Sequence, residues 1–168
     1  MTAIIDTNVV LVANGQHPDV SPECMAACAR RLEAIMKTGR IAVDDGYEIL
    51  REYQHKTQPK AGNRPGDAFV KWALRNHATA AKCDRVPITE HADRGYEEFP
   101  EDARLTDFDA PDRKFVAVAA AHADRPPILQ AADSKWLDWQ DALKEHGITV
   151  ELLCPQDIRR FHANKVGP

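Results

Sequence analysis

Short hydrophobic runs alternate with longer amphipathic segments along this chain. Four runs are short and apolar enough to predict buried strands, at residues 3–5, 40–43, 127–132 and 148–153. Apolar residues at helical spacing predict helices at residues 22–38, about 47–56, 69–82, 112–122 and 136–145, followed by a short helix after Pro155. Strands separated by helices are typical of a parallel sheet covered on both faces. We therefore predict an α/β fold, with three α/β/α layers around a central, mainly parallel sheet.

Helix and loop signals support these boundaries. Ser21 and Pro22 are typical of the N-cap and the first position of a helix, and Gly39 is typical of its end. Loops or short turns are predicted at residues 57–67, which hold two Pro and two Gly, and at the acid-rich residues 93–112. The 168 residues show no repeat and no second domain, so we predict one domain over the whole chain.

Composition excludes several classes of protein. The 26 acidic and 22 basic residues give a net charge of −4, which argues against a protein that holds nucleic acid by bulk charge alone. No apolar run approaches the roughly 20 residues of a membrane span, and the N-terminus has no basic region typical of a signal peptide. We therefore expect a cytoplasmic protein with no membrane partner.

The four cysteines show neither a Cys-x-x-Cys motif nor zinc-finger spacing with histidine; they are Cys24, Cys28, Cys83 and Cys154. Cys24 and Cys28 lie four residues apart, so a helix places them on one face. We predict buried thiols in a reducing compartment. A structural zinc site or a catalytic Cys–His pair is the alternative.

Charge is unevenly distributed. Residues 51–85 hold eight bases and three acids, whereas residues 86–112 hold nine acids and two bases. The basic segment also contains Tyr53, Phe69 and Trp72, and bases beside aromatic rings favour backbone contact and base stacking with single strands. Two alternatives stay open: the aromatics belong to the core side of amphipathic helices, or the acidic segment pairs with the basic one in the fold.

Carboxylates recur where predicted strands end and predicted helices begin. Asp6 follows the first strand, and Asp133 follows the strand at residues 127–132. The other acids near such ends are Asp44, Asp45, Glu48, Glu52, Asp109 and Asp112. Because ligands of open α/β sheets bind beyond the carboxyl ends of the strands, we expect four chain segments to deliver a carboxylate to one edge of the sheet.

Clustered carboxylates indicate a divalent cation. Several carboxylates in one place repel one another, and Mg²⁺ or Mn²⁺, which prefer oxygen ligands, remove that repulsion. Such a site suits hydrolysis of a phosphodiester. A single acid at a strand end is usually a helix cap or a solvated loop residue, so the agreement of four segments carries the inference. Phosphatases and phosphotransfer receivers gather acids at the same edge, but Asp6-Thr7-Asn8 lacks the second Asp of the aspartyl-nucleophile phosphatases.

Taken in order, these motifs resemble those of the PIN-domain nucleases. The opening Ile4-Ile5-Asp6-Thr7-Asn8 resembles the first PIN motif, an apolar strand followed by Asp-Thr-Asn or Asp-Thr-Ser. The next acid lies in the helix after the second strand, here Glu52 in LREYQ or Glu48 one turn earlier. Asp112 then opens an Ala-rich helix in DAPDRKFVAVAAAH, and Asp133 closes the strand in ILQAAD. The resemblance covers roughly residues 1–158.

The resemblance implies a PIN-like fold and a Mg²⁺- or Mn²⁺-dependent endonuclease acting mostly on single-stranded RNA. The implied catalytic and metal-binding acids are Asp6, Glu52, Asp112 and Asp133, with Glu48, Asp109 and Asp138 as alternates. The candidate substrate-binding residues are Thr7, Asn8, Arg113, Lys114 and Ser134. Of these, Thr7 or Asn8 would orient Asp6 by hydrogen bonds, and Arg113 or Lys114 would contact a phosphate.

The resemblance also implies a biological context and leaves alternatives. Many PIN relatives are toxins of toxin–antitoxin pairs, and others act in RNA processing or defence, so an antitoxin or another regulatory protein and a homodimer are the implied partners. An inactive PIN-like binding or scaffold module and a structure-specific DNA nuclease are the rival functions. The segment of about residues 55–108 has no counterpart in compact PIN toxins, and we interpret it as a possible insertion within the single domain.

Overall fold

The computed structural model describes residues 1–166. The strands are β1 (Thr2–Ile5), β2 (Arg40–Asp44), β3 (Cys83–Val86), β4 (Glu90–His91), β5 (Gly95–Tyr96), β6 (Ile128–Gln130) and β7 (Val150–Leu152). The helices are α1 (Thr7–Ala13), α2 (Pro22–Thr38), α3 (Glu48–Lys56), α4 (Pro65–Asn76), α5 (Arg113–Ala121), α6 (Trp136–Glu145) and α7 (Pro155–Val166).

The central sheet has five strands in the order β3-β2-β1-β6-β7. Every neighbouring pair is parallel, with Ala3 opposite Ile41 and Ile4 opposite Ile128 in the register. The chain runs outward from β1 through β2 to β3 and then returns to the other side of β1 with β6 and β7. All carboxyl ends therefore share one edge, and the strand order reverses between β1 and β6, which is where ligands of such sheets bind.

Helices flank the sheet, so the predicted three-layer α/β/α class is confirmed. Helices α1, α2 and α4 pack on one another, while α5 packs against β1, β2 and β6. Helix α5 is hydrophobic nearly all round, and its residues 115–119 are fully buried, as expected of a helix enclosed by neighbours. This enclosure explains the Ala/Val-rich composition after Asp112, because small side chains let α5 approach the strands closely.

Several predicted boundaries are confirmed. Helix α2 begins at Pro22 and ends before Gly39. Its N-cap is Ser21, whose Oγ accepts a hydrogen bond from the backbone N–H of Cys24 at 3.1 Å. Helix α6 has the predicted limits. The acid-rich residues 93–112 are largely irregular, with 3-10 turns at Ala103–Leu105 and Ala110–Asp112 and part of the small antiparallel β4–β5 hairpin.

Other boundaries were predicted wrongly. The helix expected at residues 69–82 is α4, which begins at Pro65 because proline fits the first helical position. It ends at Asn76, whose side-chain amide donates to the carbonyl of Trp72 at 2.8 Å. Strand β3 follows, so the segment of residues 55–108 supplies both a helix and an edge strand. Strand β6 ends at Gln130, three residues before Asp133.

The cysteines differ from the prediction in redox state. All four are buried, as expected, but Cys24 and Cys154 form a disulfide, while Cys28 and Cys83 are free. Spacing along the sequence could not reveal this pair, because its members are 130 residues apart and meet only when α7 reaches the start of α2. Among residues 1–166, no helix has both the length and the hydrophobicity that crossing a membrane requires.

Candidate metal centre

A small cleft opens at the carboxyl edge of the sheet, next to the reversal of strand order between β1 and β6. Its volume is about 170 Å³. It is lined by Asp6, Thr7, Asn8, Leu11, Glu52, Lys56, Pro111, Asp112 and Asp133. The four acids to which the sequence assigned metal binding are thus brought together in one place, although they come from four separate segments.

Asp6 lies at the back of this cleft. It is only 4% exposed and stands between β1 and α1. Its side chain makes no capping hydrogen bond to α1; instead, Asp6 Oδ2 accepts a hydrogen bond from Gln130 Nε2. Burial, together with the charges of Asp112, Asp133 and Glu52, raises the pKa of Asp6 well above its ordinary value, and the Gln130 hydrogen bond only partly offsets this.

The pKa of Asp112 is also raised by burial and by neighbouring negative charges. It precedes α5 without capping it through its side chain. Burial, followed by the negative charges of Asp133 and Glu52, raises the pKa of Asp112 to about 6. Carboxylate oxygens of Asp109, Asp112 and Asp133 lie within 4.8 Å of one another. Three carboxylates at this spacing, whose charges also act on the buried Asp6, form a site that favours a counter-cation.

Lys135 contacts this acidic group through both its side chain and its backbone. Lys135 Nζ donates to Asp109 Oδ2 at 3.0 Å, so Asp109 is already paired with a cation. Asp133 Oδ1 accepts the backbone N–H of Lys135 at 3.1 Å, which fixes the carboxylate after the end of β6. Asp112 carries neither contact, so it is better placed than Asp109 to ligate a metal ion.

Glu52 is oriented by two neighbours from other elements. Thr7 Oγ1 donates to Glu52 Oε2, and Lys114 Nζ donates to Glu52 Oε1 at 2.9 Å. Lys114 also donates to the carbonyl of Pro111 and is only 7% exposed. A lysine buried to this degree requires a nearby anion, so the ammonium and Glu52 form a fixed pair at the side of the cleft.

Gln130 is a site residue that the sequence analysis missed. It is fully buried at the end of β6. While Nε2 donates to Asp6, Oε1 accepts the backbone N–H of Ala131 at 2.8 Å and that of Asp133 at 3.2 Å. One amide therefore links the first and last acids of the cleft. The available signal was a single polar side chain in the apolar run PPILQAA, since a buried amide requires partners.

Thr7 and Asn8 hold different parts of the site from those predicted. Neither orients Asp6 by a side-chain hydrogen bond: Thr7 contacts Glu52, and Asn8 Oδ1 accepts the backbone N–H of Ala132 at 2.7 Å. Both residues belong to the first turn of α1, which begins directly after Asp6, and their side chains reach other segments from there. Asn8 thus anchors the loop that carries Asp133.

The two alternate acids on helix surfaces lie outside the cleft. Glu48 Oε1 accepts from Arg51 Nη1 at 2.7 Å, at the exposed start of α3. Asp138 lies on the exposed side of α6 and pairs with His162 at 3.2 Å. Of the two glutamates on the shared helix face, only Glu52 lines the cleft, since it lies one turn further along α3.

Arg113 and Ser134 do not line the cleft. The Arg113 guanidinium donates to the backbone carbonyls of Phe108, Arg94 and Thr106 at 2.9–3.1 Å and lies 4.6 Å from the ring centroid of Phe99. It therefore fastens the irregular segment before α5. Ser134 is only 3% exposed. Of the predicted pair, Lys114 rather than Arg113 is at the site.

The basic segment keeps its charge but not its aromatics. Tyr53 and Phe69 are buried in the core, and Trp72 packs against Phe69, so none of the three is a free platform for base stacking. Among residues 1–166, no ion pair joins a base of residues 51–85 to an acid of residues 86–112. Lys56 is exposed and borders the cleft.

The donor set fits a hard divalent cation. Asp6, Asp112 and Asp133 offer only carboxylate oxygens, the ligands that Mg²⁺ and Mn²⁺ prefer. The raised pKa values of Asp6 and Asp112 record mutual repulsion and burial, which a cation bound among the three groups relieves.

Comparisons with known proteins add no family assignment. No protein-family model, no curated protein and no solved structure matches this chain. The resemblance to PIN-domain nucleases therefore rests on the order of the motifs.

Proposed function

We propose that this chain is a metal-dependent endoribonuclease of PIN type that hydrolyses phosphodiester bonds of single-stranded RNA. One observation carries the proposal: four acids from four chain segments, Asp6, Glu52, Asp112 and Asp133, line one cleft at the reversal of strand order. Neither Asp6 nor Asp112 uses its side chain to cap the helix that follows, which removes the commonest structural role for acids at such positions.

Asp6, Asp112 and Asp133 would hold Mg²⁺ or Mn²⁺, with Asp109 at the periphery of the group. When bound, the ion supplies positive charge for a phosphate and lowers the pKa of water. Gln130 keeps Asp6 and the Asp133 loop in register. Glu52, held by Thr7 and Lys114, places a further carboxylate at the side of the cleft, where it can accept a proton or orient water.

A single RNA strand suits the surface around the cleft. Lys56 borders the acids, and the basic segment of residues 51–85 is not neutralised by the acidic segment that follows it. These bases provide attraction to a phosphate backbone in spite of the net charge of −4. We propose contact with the backbone rather than base stacking, because the aromatics of this segment belong to the core.

The cellular context stays a set of predictions. We propose a cytoplasmic location because the substrate is RNA; the Cys24–Cys154 disulfide then requires that this pair be oxidised only under particular conditions, since disulfides are rare in reducing compartments. A role as a toxin or in RNA processing, an antitoxin or other regulatory partner, and a homodimer remain implications of the motif resemblance.

A panel of labelled substrates tests the proposal. Single-stranded RNA, single-stranded DNA and flap DNA of matched sequence are incubated with the protein in Mg²⁺, Mn²⁺ or EDTA. The expected result is RNA cleavage in either cation, no cleavage in EDTA and none by Asp6→Asn. Asp138→Asn is the matched control, because Asp138 is an exposed acid outside the cleft, and it should cleave at the wild-type rate.

Each other result of the panel contradicts the proposal. Cleavage in EDTA, or cleavage by Asp6→Asn at a rate within about 100-fold of wild type, removes the cleft from the chemistry. Cleavage confined to DNA indicates a DNA nuclease, and binding of RNA with no cleavage in either cation indicates a binding module.

A further inference from the structure

Three cysteines form a second cluster, remote in sequence from the acids of the cleft. Cys24 and Cys28 occupy successive turns of α2, and Cys154 directly precedes α7. Their sulfur atoms lie within 4.8 Å of one another. Cys24 and Cys154 are disulfide-bonded with their Cα atoms 5.2 Å apart, and the Cys28 sulfur lies 3.9 Å from that of Cys154.

The third thiol distinguishes this cluster from an ordinary disulfide. A disulfide needs two cysteines, yet Cys28 is fully buried against the pair and bonded to neither. The proposed cleavage reaction uses none of the three sulfurs. Cys83, the other free cysteine, is also buried but belongs to no such group, so burial alone does not bring thiols together in this protein.

We propose that the reduced protein binds one thiophilic metal ion of the zinc type at Cys24, Cys28 and Cys154. Two sulfurs that share one tetrahedral Zn²⁺ at about 2.3 Å lie about 3.8 Å apart. The Cys28–Cys154 spacing of 3.9 Å already meets this requirement. Separation of the Cys24 and Cys154 sulfurs on reduction brings the third ligand toward the same spacing.

A dithiol reductant can open the disulfide and free its two sulfurs for the metal ion. Two electrons and two protons from the dithiol convert the Cys24–Cys154 bond into two thiols, and the reductant becomes a disulfide. Binding of the ion then releases the protons of the three coordinating thiols. Burial raises the pKa of the Cys28 thiol to about 12, so Cys28 stays protonated until a metal ion displaces that proton.

An open cleft adjoins the cluster at Cys24 and Cys154. A surface cleft of about 540 Å³ is lined in part by Cys24, Cys154, Asp157 and Arg160. Asp157 is engaged elsewhere, because its two oxygens accept the backbone N–H and the hydroxyl of Ser21 at 2.7 and 2.8 Å. Within residues 1–166, no fourth ligand atom of a histidine, cysteine or acid joins the three sulfurs. Water from the cleft therefore completes the site.

A metal ion here would connect the same two elements as the disulfide. Helix α7 is joined to the region around the start of α2 by Cys154, by Asp157 through Ser21, and by Arg160 Nη2, which donates to the carbonyl of Asp19 at 2.8 Å. The oxidised protein fastens α7 through a covalent bond, and the reduced protein fastens it through the metal. The cluster thus keeps α7 docked in both redox states.

Cobalt binding to the reduced full chain tests this site. The protein is reduced with a dithiol, separated from the reductant under anaerobic conditions and then titrated with Co²⁺. We expect an ultraviolet thiolate-to-cobalt charge-transfer band that saturates at one equivalent and disappears when Zn²⁺ is added. Cys28→Ser should lose the band, whereas Cys83→Ser, which removes a buried thiol outside the cluster, should retain it.

A second readout covers folding of the variants. Zn²⁺ should raise the Tm of the reduced Cys83→Ser protein by several degrees more than it raises that of Cys28→Ser. If Cys28→Ser does not fold, Cys28→Ala, which keeps the position apolar, takes its place. Absence of the band in reduced wild type, an unaltered band without Cys28, or loss of the fold on reduction each overturns the proposal. Because oxygen ligands give no thiolate band, the spectroscopic outcomes are independent of the acidic cleft.

Discussion

Asp6 and Asp44 occupy equivalent places in the sheet but are used differently. Asp6 directly follows β1 and Asp44 is the last residue of β2, both at the carboxyl edge, and they are 4% and 2% exposed. The Asp44 carboxylate accepts the backbone N–H groups of Glu48 and Ile49, both at 2.8 Å. The Asp6 carboxylate accepts from the Gln130 side chain and otherwise faces other acids.

The helix that follows each strand makes the difference. Helix α3 begins four residues after Asp44, following a turn in which Tyr47 has φ 69°, and its first N–H groups reach back to the carboxylate. Helix α1 begins at once after Asp6, so the side chain turns into the cleft. An acid at a strand end is therefore a cap or a site residue according to the length of the connection.

The largest expected effect is a difference in cleavage rate between substitutions of Asp6 and of Asp44. Asp6→Asn should lower RNA cleavage in Mg²⁺ at least about 100-fold, as loss of a metal ligand or its close support does. Asp44→Asn should keep cleavage within a few-fold of wild type, because its amide oxygen still accepts one of the two N–H groups at the start of α3 and Asp44 does not line the cleft. Initial rates on one labelled RNA measure both, and equal losses in the two variants would contradict the distinction.

A second pair on α3 extends the comparison to glutamates. Glu52→Gln should lower cleavage by about 10–100-fold, since it removes the charge that Thr7 and Lys114 hold at the cleft. Glu48→Gln should leave the rate unchanged, because Glu48 pairs with Arg51 at the surface. The same kinetic assay applies, and a larger loss for Glu48→Gln would show that the wrong turn of α3 has been assigned.

Sequence patterns located the acids but not their partners. Helical spacing and caps gave α2 and α6, because those helices are long and bounded by Ser21, Gly39 and Gly147. The seven-residue α1 and the short strand β3, CDRV, have too few residues for either period to be visible.

Contacts between distant segments were beyond the sequence. Gln130 meets Asp6 across 124 positions and Cys154 meets Cys24 across 130. Both contacts depend on the sheet order and on the docking of α7, neither of which a local pattern encodes. Asp6, Asp112 and Asp133 were recoverable because each stands beside an element end, where a parallel fold dictates a common edge. Glu52 lies one turn into α3 and was found from the order of the motifs.

Substitution of Asp44 should lower the stability of the fold, whereas substitution of Asp6 should not, which is the reverse of their expected effects on cleavage. Asp44→Ala removes a helix cap with two hydrogen bonds and should lower the free energy of unfolding by about 1–2 kcal/mol. Asp6→Asn removes a buried, repelled charge and should leave the free energy unchanged or raise it. Urea unfolding monitored by circular dichroism tests both; a destabilised Asp6→Asn would mean that Asp6 is a structural acid as well.

A smaller effect is expected from pH. The folded protein raises the pKa of Asp112 from its ordinary value of 3.8 to about 6. Between these pH values the folded state binds more protons than the unfolded chain, so stability falls as pH rises from about 4 to 6. In EDTA, the Tm of wild type should fall by a few degrees more over this window than that of Asp112→Asn.

A bound divalent cation should restore the stability that the protein loses as pH rises, but only at pH values at which the acids are ionised. Mn²⁺ is expected to raise the Tm of wild type at pH 7 and to have little effect at pH 4, because protonated carboxyls are poor ligands. Differential scanning calorimetry at the two pH values measures this. Equal stabilisation at both, or the same stabilisation of Asp112→Asn, would place the ion elsewhere.

Location of the cation is the most direct test of the account. A crystal grown or soaked with Mn²⁺ would be measured at a wavelength that gives manganese an anomalous signal. We expect a peak among the carboxylates of Asp6, Asp112 and Asp133, and none beside Asp44. No peak at this cleft with saturating Mn²⁺, or a peak at Asp44 instead, would contradict the claim that this edge of the sheet is a metal centre.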